Sequence, residues 1–349
     1  MKLFKGRMLW VGLALVTGTL VVSPLYSQTI HMLMSFNEDE GVIYTNAFQE
    51  DTGIDVSFVR LSSGSALAKV EAEAGNPQSS IWYGGTNSSH IVAGKEGLLE
   101  PYVSPLDALI PNDPAFKDLK NHNWTGIYAG FIAFSSNKDF LASSGVAAPQ
   151  SWQDLLKPEF KGKIAMAFPF SSGTAYTVLA SLLQLGLGGT EPRSDASVTN
   201  GFAFAKQLDA QVGQYLESGS GCIALSGTGE FPVCISFAHD IAAKGLSKGL
   251  PIEMTFPSEG TGSEIGGMAL IKGGPETASL ARAFYDWALS ARAQNLFQKK
   301  FRVPLNPKAT IGEGVVQESD VKLVDFDGAW AGAHREEFVQ QWRDLTGNN

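Results

Sequence analysis

Apolar and polar positions along this chain fall into alternating strand-length and helix-length blocks. Residues 29–36 form an apolar run of strand length, residues 42–51 carry helical spacing and stop at Gly53, and residues 54–61 alternate with a period of two. Residues 66–74 read as a second helix ending near Gly75, and 81–83 as a short buried strand. This strand–helix–strand–helix–strand order predicts an α/β lobe with a largely parallel sheet.

Two Gly-interrupted apolar stretches, 127–137 and 265–271, read as strands that cross between two lobes. Between them lie the segment 152–156, a strand at 163–167, a helix beginning near Thr174, a helix over 201–211 and a strand at 233–237. A long helix over 276–300 and a last one over 335–345 follow the second crossing. The expected organisation is a first lobe from 28–130 and 270–349, with a second lobe, 131–269, inserted into it.

Candidate chemistry gathers where helices begin. Four Ser/Gly/Thr-rich segments stand out: Ser62 to Ser65, Gly84 to Asn87, Ser171 to Thr174 and Ser218 to Gly221. The first and third lead directly into apolar-periodic runs. A helix start offers unpaired N–H groups and the positive end of a dipole, and small hydroxyl residues let a ligand approach closely. Each segment has a plainer reading as a helix cap or a turn. Several together point to a cleft that holds a small anionic or polyhydroxyl solute. The third follows an apolar strand, the position at which open α/β sheets bind ligands.

His239 and Asp240 directly follow the strand at 233–237, a position suited to accepting from ligand hydroxyls or an ammonium and donating to an oxyanion. Glu264 sits in a Gly-rich approach to the second crossing, as a hinge carboxylate or a solvated turn. Trp82 and Tyr83 fit the core better than a stacking role. Gly245 to Gly249 matches the G-x-S-x-G pattern in form, but it follows a helix-like stretch and not a strand, so it reads as a helix end. Walker, H-E-x-x-H and C-x-x-C patterns are lacking, and neither a catalytic nucleophile nor a metal cluster is visible. The chain is therefore expected not to be an enzyme and to need no cofactor.

The bulk numbers narrow the picture. A length of 349 residues supports two cores, and 38 glycines fit tight turns and close backbone approaches. Lys2, Lys5 and Arg7 precede an apolar run over 8–22 that is short for a membrane span, so residues 1–27 read as a secretory signal peptide. The formal net charge is −9, and removal of that basic segment makes the rest more acidic still. Such a balance argues against a nucleic-acid partner, and an anionic ligand would have to be held by local donors. Cys222 and Cys234 fit a disulfide in an oxidising compartment or a pair of buried thiols.

At these residues the chain resembles the ABC-transporter solute-binding proteins of the ferric-ion, hexose-phosphate and phosphonate group. The resemblance runs through 48–56, 61–77, 81–85, 96–102, 152–158 and 229–233. It implies a two-lobe periplasmic clamshell with two hinge strands, acting as a monomer that captures a small anionic solute and delivers it to a membrane ABC permease. Ferric binders of the group use adjacent tyrosines, whereas this chain carries Phe237-Ala238-His239-Asp240 at the comparable strand end. It is most similar to the hexose-phosphate binders. By motif position the resemblance implies His239, Asp240 and Glu264 on sugar hydroxyls, and Ser172, Gly173 and Thr174 on phosphate. Ser35, Ser65 and Thr86 complete the expected site. Phosphonate or ferric-ion binding on the same fold is the alternative; a secreted hydrolase and a sensor-linked binding protein are further ones.

Overall fold

The structure, a computed structural model, describes residues 28–348, so the signal-peptide expectation lies outside the described residues. The first lobe opens with three strands, β1 (Thr29–Met34), β2 (Asp55–Arg60) and β3 (Ile81–Thr86), which run parallel in the order β2-β1-β3. Helices α1 (Glu38–Thr52) and α2 (Ser63–Ala72) connect them. Gly53 ends α1 with φ of 73°, the left-handed conformation that glycine adopts without strain. Helix α3 (Asn87–Lys95) and the short strand β4 (Leu99–Glu100) follow.

Strand β5 (Thr125–Asn137) then leaves the first lobe and enters the second. There the chain builds α4 (Lys138–Ser144), β6 (Ile164–Ala167), α5 (Gly173–Gln184), α6 (Asp195–Asp209) and β7 (Val212–Leu216). It continues with α7 (Cys222–Thr228), β8 (Val233–Phe237), α8 (Ala238–Lys244) and β9 (Ile252–Thr255). It returns through β10 (Ser263–Ile271), α9 (Ala278–Leu289), α10 (Ala291–Gln294) and β11 (Val303–Pro304), and ends with α11 (Gly328–Ala333) and α12 (Arg335–Thr346). The strands form one continuous path, β2-β1-β3-β10-β5-β8-β6-β7. This is a mixed α/β clamshell of two lobes.

The crossings differ in part from expectation. Residues 125–131 of β5 pair with β10, and residues 132–137 pair with β8 and β9, so β5 does span both lobes. Strand β10 pairs only with β3, β4 and the first half of β5. The second crossing therefore falls ahead of it, where Thr261 Oγ1 donates to Ile132 O at 2.5 Å and Ile132 N donates to Gly262 O at 3.0 Å. Glycine-broken apolar character marked both strands alike, and only the pairing separates a crossing strand from its neighbour.

The C-terminal segment also differs from its expected allotment. Phe338 and Trp342 lie four apart on α12 and belong to the second lobe's core with Trp152, Phe160, Tyr176 and Phe202. The Tyr176 hydroxyl donates to Ala331 O of α11, and the guanidinium of Arg335 lies 4.2 Å over the Tyr176 ring. An (i, i+4) aromatic pair requires an apolar surface to cover it, and the rings of the second lobe supply that surface. The first lobe's core gathers Phe36, Tyr44, Phe48, Phe284 and Phe297, with Trp82 and Tyr83 fully buried as the sequence predicts.

The expected helix over 276–300 is broken. Ser290 adopts ψ of 154° and its hydroxyl accepts from Ala293 N at 3.2 Å, starting α10 anew. A 3₁₀ turn over Phe297–Lys300 then ends at Phe301, which holds φ of 57°. These two interruptions redirect the chain and carry Arg302 to the space between the lobes. In the second lobe a Cys222–Cys234 disulfide ties the start of α7 to β8. Among the described residues, no helix is long and apolar enough to cross a membrane.

Candidate functional site

A polar cavity lies between the lobes. From the first lobe, strand ends and the turns after them bring Ser35, Asn37, Arg60, Ser62, Ser63, Gly85 and Thr86 to it. From the second come Ser172 to Thr174 at the start of α5, Ser218 to Ser220 ahead of α7, and Phe237, His239 and Asp240 where β8 turns into α8. Tyr128 and Glu264 line it from β5 and β10, and Arg302 closes one side. The lining sits at the carboxyl ends of β1, β2, β3 and β8, where parallel strands present their loops and helix N-termini.

Of the residues singled out in the sequence, Ser35, Thr86, Ser172, Gly173, Thr174, His239, Asp240 and Glu264 all come to this one cavity. Ser65 does not line it. Its N–H and that of Gly64 donate to Ser171 O, at 3.3 and 3.0 Å. The first turn of α2 thus spends these donors on the opposite lobe instead of leaving them for a ligand.

The helix starts are shaped by their caps. Ser172 caps α5 through its hydroxyl, which accepts from Ala175 N at 3.5 Å, and Gly173 and Thr174 are the first two residues of the helix. A side chain at Gly173 would stand 2.6 Å from Thr86 and 2.7 Å from the Ser63 hydroxyl. Only glycine allows the α5 start to approach the first lobe this closely.

Charge within the site is concentrated and mostly paired. Arg302 donates from Nε to Glu40 Oε2 at 2.8 Å and from Nη2 to Glu40 Oε1 at 3.1 Å. Its Nη1 lies 2.6 Å from His239 Nε2, and its guanidinium stacks 4.4 Å over the Tyr128 ring. Asp240 is 3.7 Å and Glu264 is 3.9 Å from the same guanidinium. Burial, the largest single influence, would lower Arg302, but Glu40, Tyr128 and Asp240 together outweigh it and hold the guanidinium well above its usual range. Burial pushes His239 well below the usual imidazole range, and Arg302 adds to the effect. The imidazole is therefore neutral; with Nε2 accepting from Arg302, its proton sits on Nδ1. Burial raises Glu264 to about 8, with Arg302 opposing, so that it is a neutral acid at pH 7.

Arg60 differs from Arg302. It donates to Phe36 O at 3.1 Å, Ser62 Oγ at 3.3 Å and Ser218 Oγ at 3.0 Å, all neutral oxygens. Its charge faces the cavity without a carboxylate hydrogen-bond partner. The local donors at the cavity thus include a cation beside the hydroxyls and helix-start N–H groups. Sequence reasoning passed over Asn37, Arg60 and Arg302. A charged residue ending an alternating strand just ahead of Ser62 was a signal for Arg60. The acidic run Glu38-Asp39-Glu40, a helix-start mark, was one for Asn37. Nothing in the sequence pointed to Arg302.

The sequence pattern described as bacterial extracellular solute-binding protein matches residues 44–322. The chain belongs to this family. An uncharacterized protein of Haemophilus influenzae is 36% identical over 305 residues, covering 85% of each chain. A probable ABC transporter periplasmic-binding protein, y4fP of Sinorhizobium fredii, is 26% identical over 288 residues, 78% of this chain and 73% of that one. Among solved structures, the periplasmic binding protein AfuA from Actinobacillus pleuropneumoniae, with exogenous fructose-6-phosphate bound, superposes with a TM-score of 0.85. It is 33% identical, over 92% of this chain and 99% of that one. The chain is thus a solute-binding protein of the periplasmic ABC-transporter type, a kind of protein that delivers a solute to a membrane permease.

Proposed function

We propose that the interlobe cavity binds a small phosphorylated solute carrying several hydroxyls, a hexose phosphate, and hands it to the permease of an ABC importer. The observation that carries this reading is Arg60. It is a half-buried cation at the cavity whose hydrogen-bond acceptors are all neutral, beside the hydroxyls of Ser62, Ser63 and Ser218 and the first turn of α5. Asp240, Glu40 and Glu38 act on Arg60 only through space, and a dianionic phosphate supplies a counter-charge in direct hydrogen-bond contact while accepting from hydroxyl and helix-start donors alike. His239, Asp240 and Glu264 form a second polar group suited to sugar hydroxyls, offering both acceptors and donors. The fructose-6-phosphate held by AfuA combines the same two kinds of group. Cleft closure over such a ligand follows from its contacts with both lobes.

Titration calorimetry with fructose 6-phosphate, inorganic phosphate and ferric citrate tests the reading. Binding of the sugar phosphate, weakened about tenfold or more in Arg60→Ala through loss of charged hydrogen bonds worth about 1.5–3 kcal/mol, is the expected result. Binding of iron without either phosphate compound would refute it.

A further inference from the structure

The acidic side of the cavity is already occupied by a cation of the protein itself. Asp240 and Glu264 are the two carboxylates lining the cavity, and they lie 3.7 and 3.9 Å from the Arg302 guanidinium. Asp240 also accepts from Asn37 Nδ2 at 2.8 Å. Arg302 cannot turn away. Glu40 holds it by two hydrogen bonds, and its guanidinium lies 4.9 Å over Phe36 and 4.4 Å over Tyr128. Lys244 adds a second cation nearby, donating to Asn37 Oδ1 at 2.8 Å.

An ammonium group seeking either carboxylate would therefore come within a few ångströms of a fixed positive charge in a buried setting, where such repulsion is poorly screened. A hydroxyl meets no such penalty. It can donate to Asp240, and it can accept from the neutral Glu264 acid. We infer that Arg302 is a specificity-determining residue, admitting phosphate compounds whose far end carries hydroxyls and excluding those whose far end carries an ammonium. The inference rests on the phosphate reading above and deepens it: sugar and polyol phosphates belong in the site, and aminoalkyl phosphates or phosphonates do not.

The test compares a matched pair, 2-hydroxyethyl phosphate and phosphoethanolamine, which differ only in hydroxyl against ammonium, by calorimetric competition against fructose 6-phosphate. Wild-type protein is expected to bind the hydroxyl compound at least tenfold more tightly. In the charge-balanced double variant Glu40→Gln/Arg302→Gln the preference should shrink to threefold or less. Equal binding of the pair by wild-type protein, or tighter binding of phosphoethanolamine, overturns the inference while phosphate binding stands. An unchanged preference in the folded double variant removes Arg302 as its source. Wild-type protein that binds none of the three phosphates overturns the phosphate reading, and the inference with it. The wild-type ratio decides the matter even where the variant does not fold.

Discussion

Asn37 and Asp240 join the two lobes directly: Asn37 Nδ2 donates to Asp240 Oδ1 at 2.8 Å, across 203 residues of chain. The same amide donates to Glu40 Oε1 at 2.9 Å and accepts from Ser220 Oγ at 2.9 Å and Lys244 Nζ at 2.8 Å. Three of its four bonds thus reach the second lobe. Their number makes the closed arrangement dependent on one small side chain.

Replacement of Asn37 by alanine should therefore weaken closure more than folding. The amide's partners regain water when the lobes part, so the loss falls mainly on the closed form. We expect ligand affinity to drop by about 1–2 kcal/mol, roughly five- to thirtyfold, with a faster off-rate. Solution scattering should show a larger radius of gyration with ligand present. Unchanged affinity together with an unchanged scattering profile would show that closure does not depend on Asn37.

Glu264 predicts a pH dependence of stability. Its folded value of about 8 lies above its ordinary 4.5, so the folded chain retains a proton that the unfolded chain has lost between these limits. This contribution is fully present below pH 4.5 and is lost as pH rises through about 8, with a slope of up to about 1.4 kcal/mol per pH unit. Urea unfolding at pH 5, 6, 7 and 8 should show a shallower fall for Glu264→Gln than for the wild type. Parallel profiles would mean that Glu264 is ionised in the folded protein.

Gly173 brings the start of α5 directly against the first lobe. In Gly173→Ala the new methyl would meet Thr86 at 2.6 Å and the Ser63 hydroxyl at 2.7 Å, both across the cleft. The substitution should wedge the lobes apart and lower ligand affinity tenfold or more. It should leave the unfolding free energy of the ligand-free protein within about 0.5 kcal/mol, because alanine suits a helix start as well as glycine does. Calorimetry paired with urea unfolding checks both halves of the expectation.

The Cys222–Cys234 disulfide joins the start of α7, just after the turn that carries Ser218 and Ser220, to β8, the strand that ends at Phe237 ahead of His239. Closing a loop of this length contributes about 2–4 kcal/mol by restricting the unfolded chain. Cys222→Ala/Cys234→Ala should lose that much in urea unfolding, and reducing agent should destabilise the wild type but not the double variant.

Local pattern made much of this protein legible. Strand and helix periods give the parallel start of the first lobe, the stop of α1 at Gly53 and the caps of α5. They also mark His239 and Asp240 at a strand end, because a charged pair after an apolar run is a local event. Eight of the nine expected site residues line one cavity for this reason. Each sits at the end of an element, and element ends on the same edge of a sheet converge. Ser65 has the same local signature as its neighbours, and only its distance from the opposite lobe turned its N–H toward Ser171.

The tertiary structure alone decided the rest. Which strand crosses between lobes depends on pairing, and which core receives α12 depends on the surface left open for Trp342 and Phe338. Arg302 reaches Glu40 across 262 residues, after a break at Ser290 and a turn at Phe301. Periodicity reports the face a residue presents within its own element. It carries no information on which distant side chain that face will meet, and the charge balance of this cavity is made of such meetings.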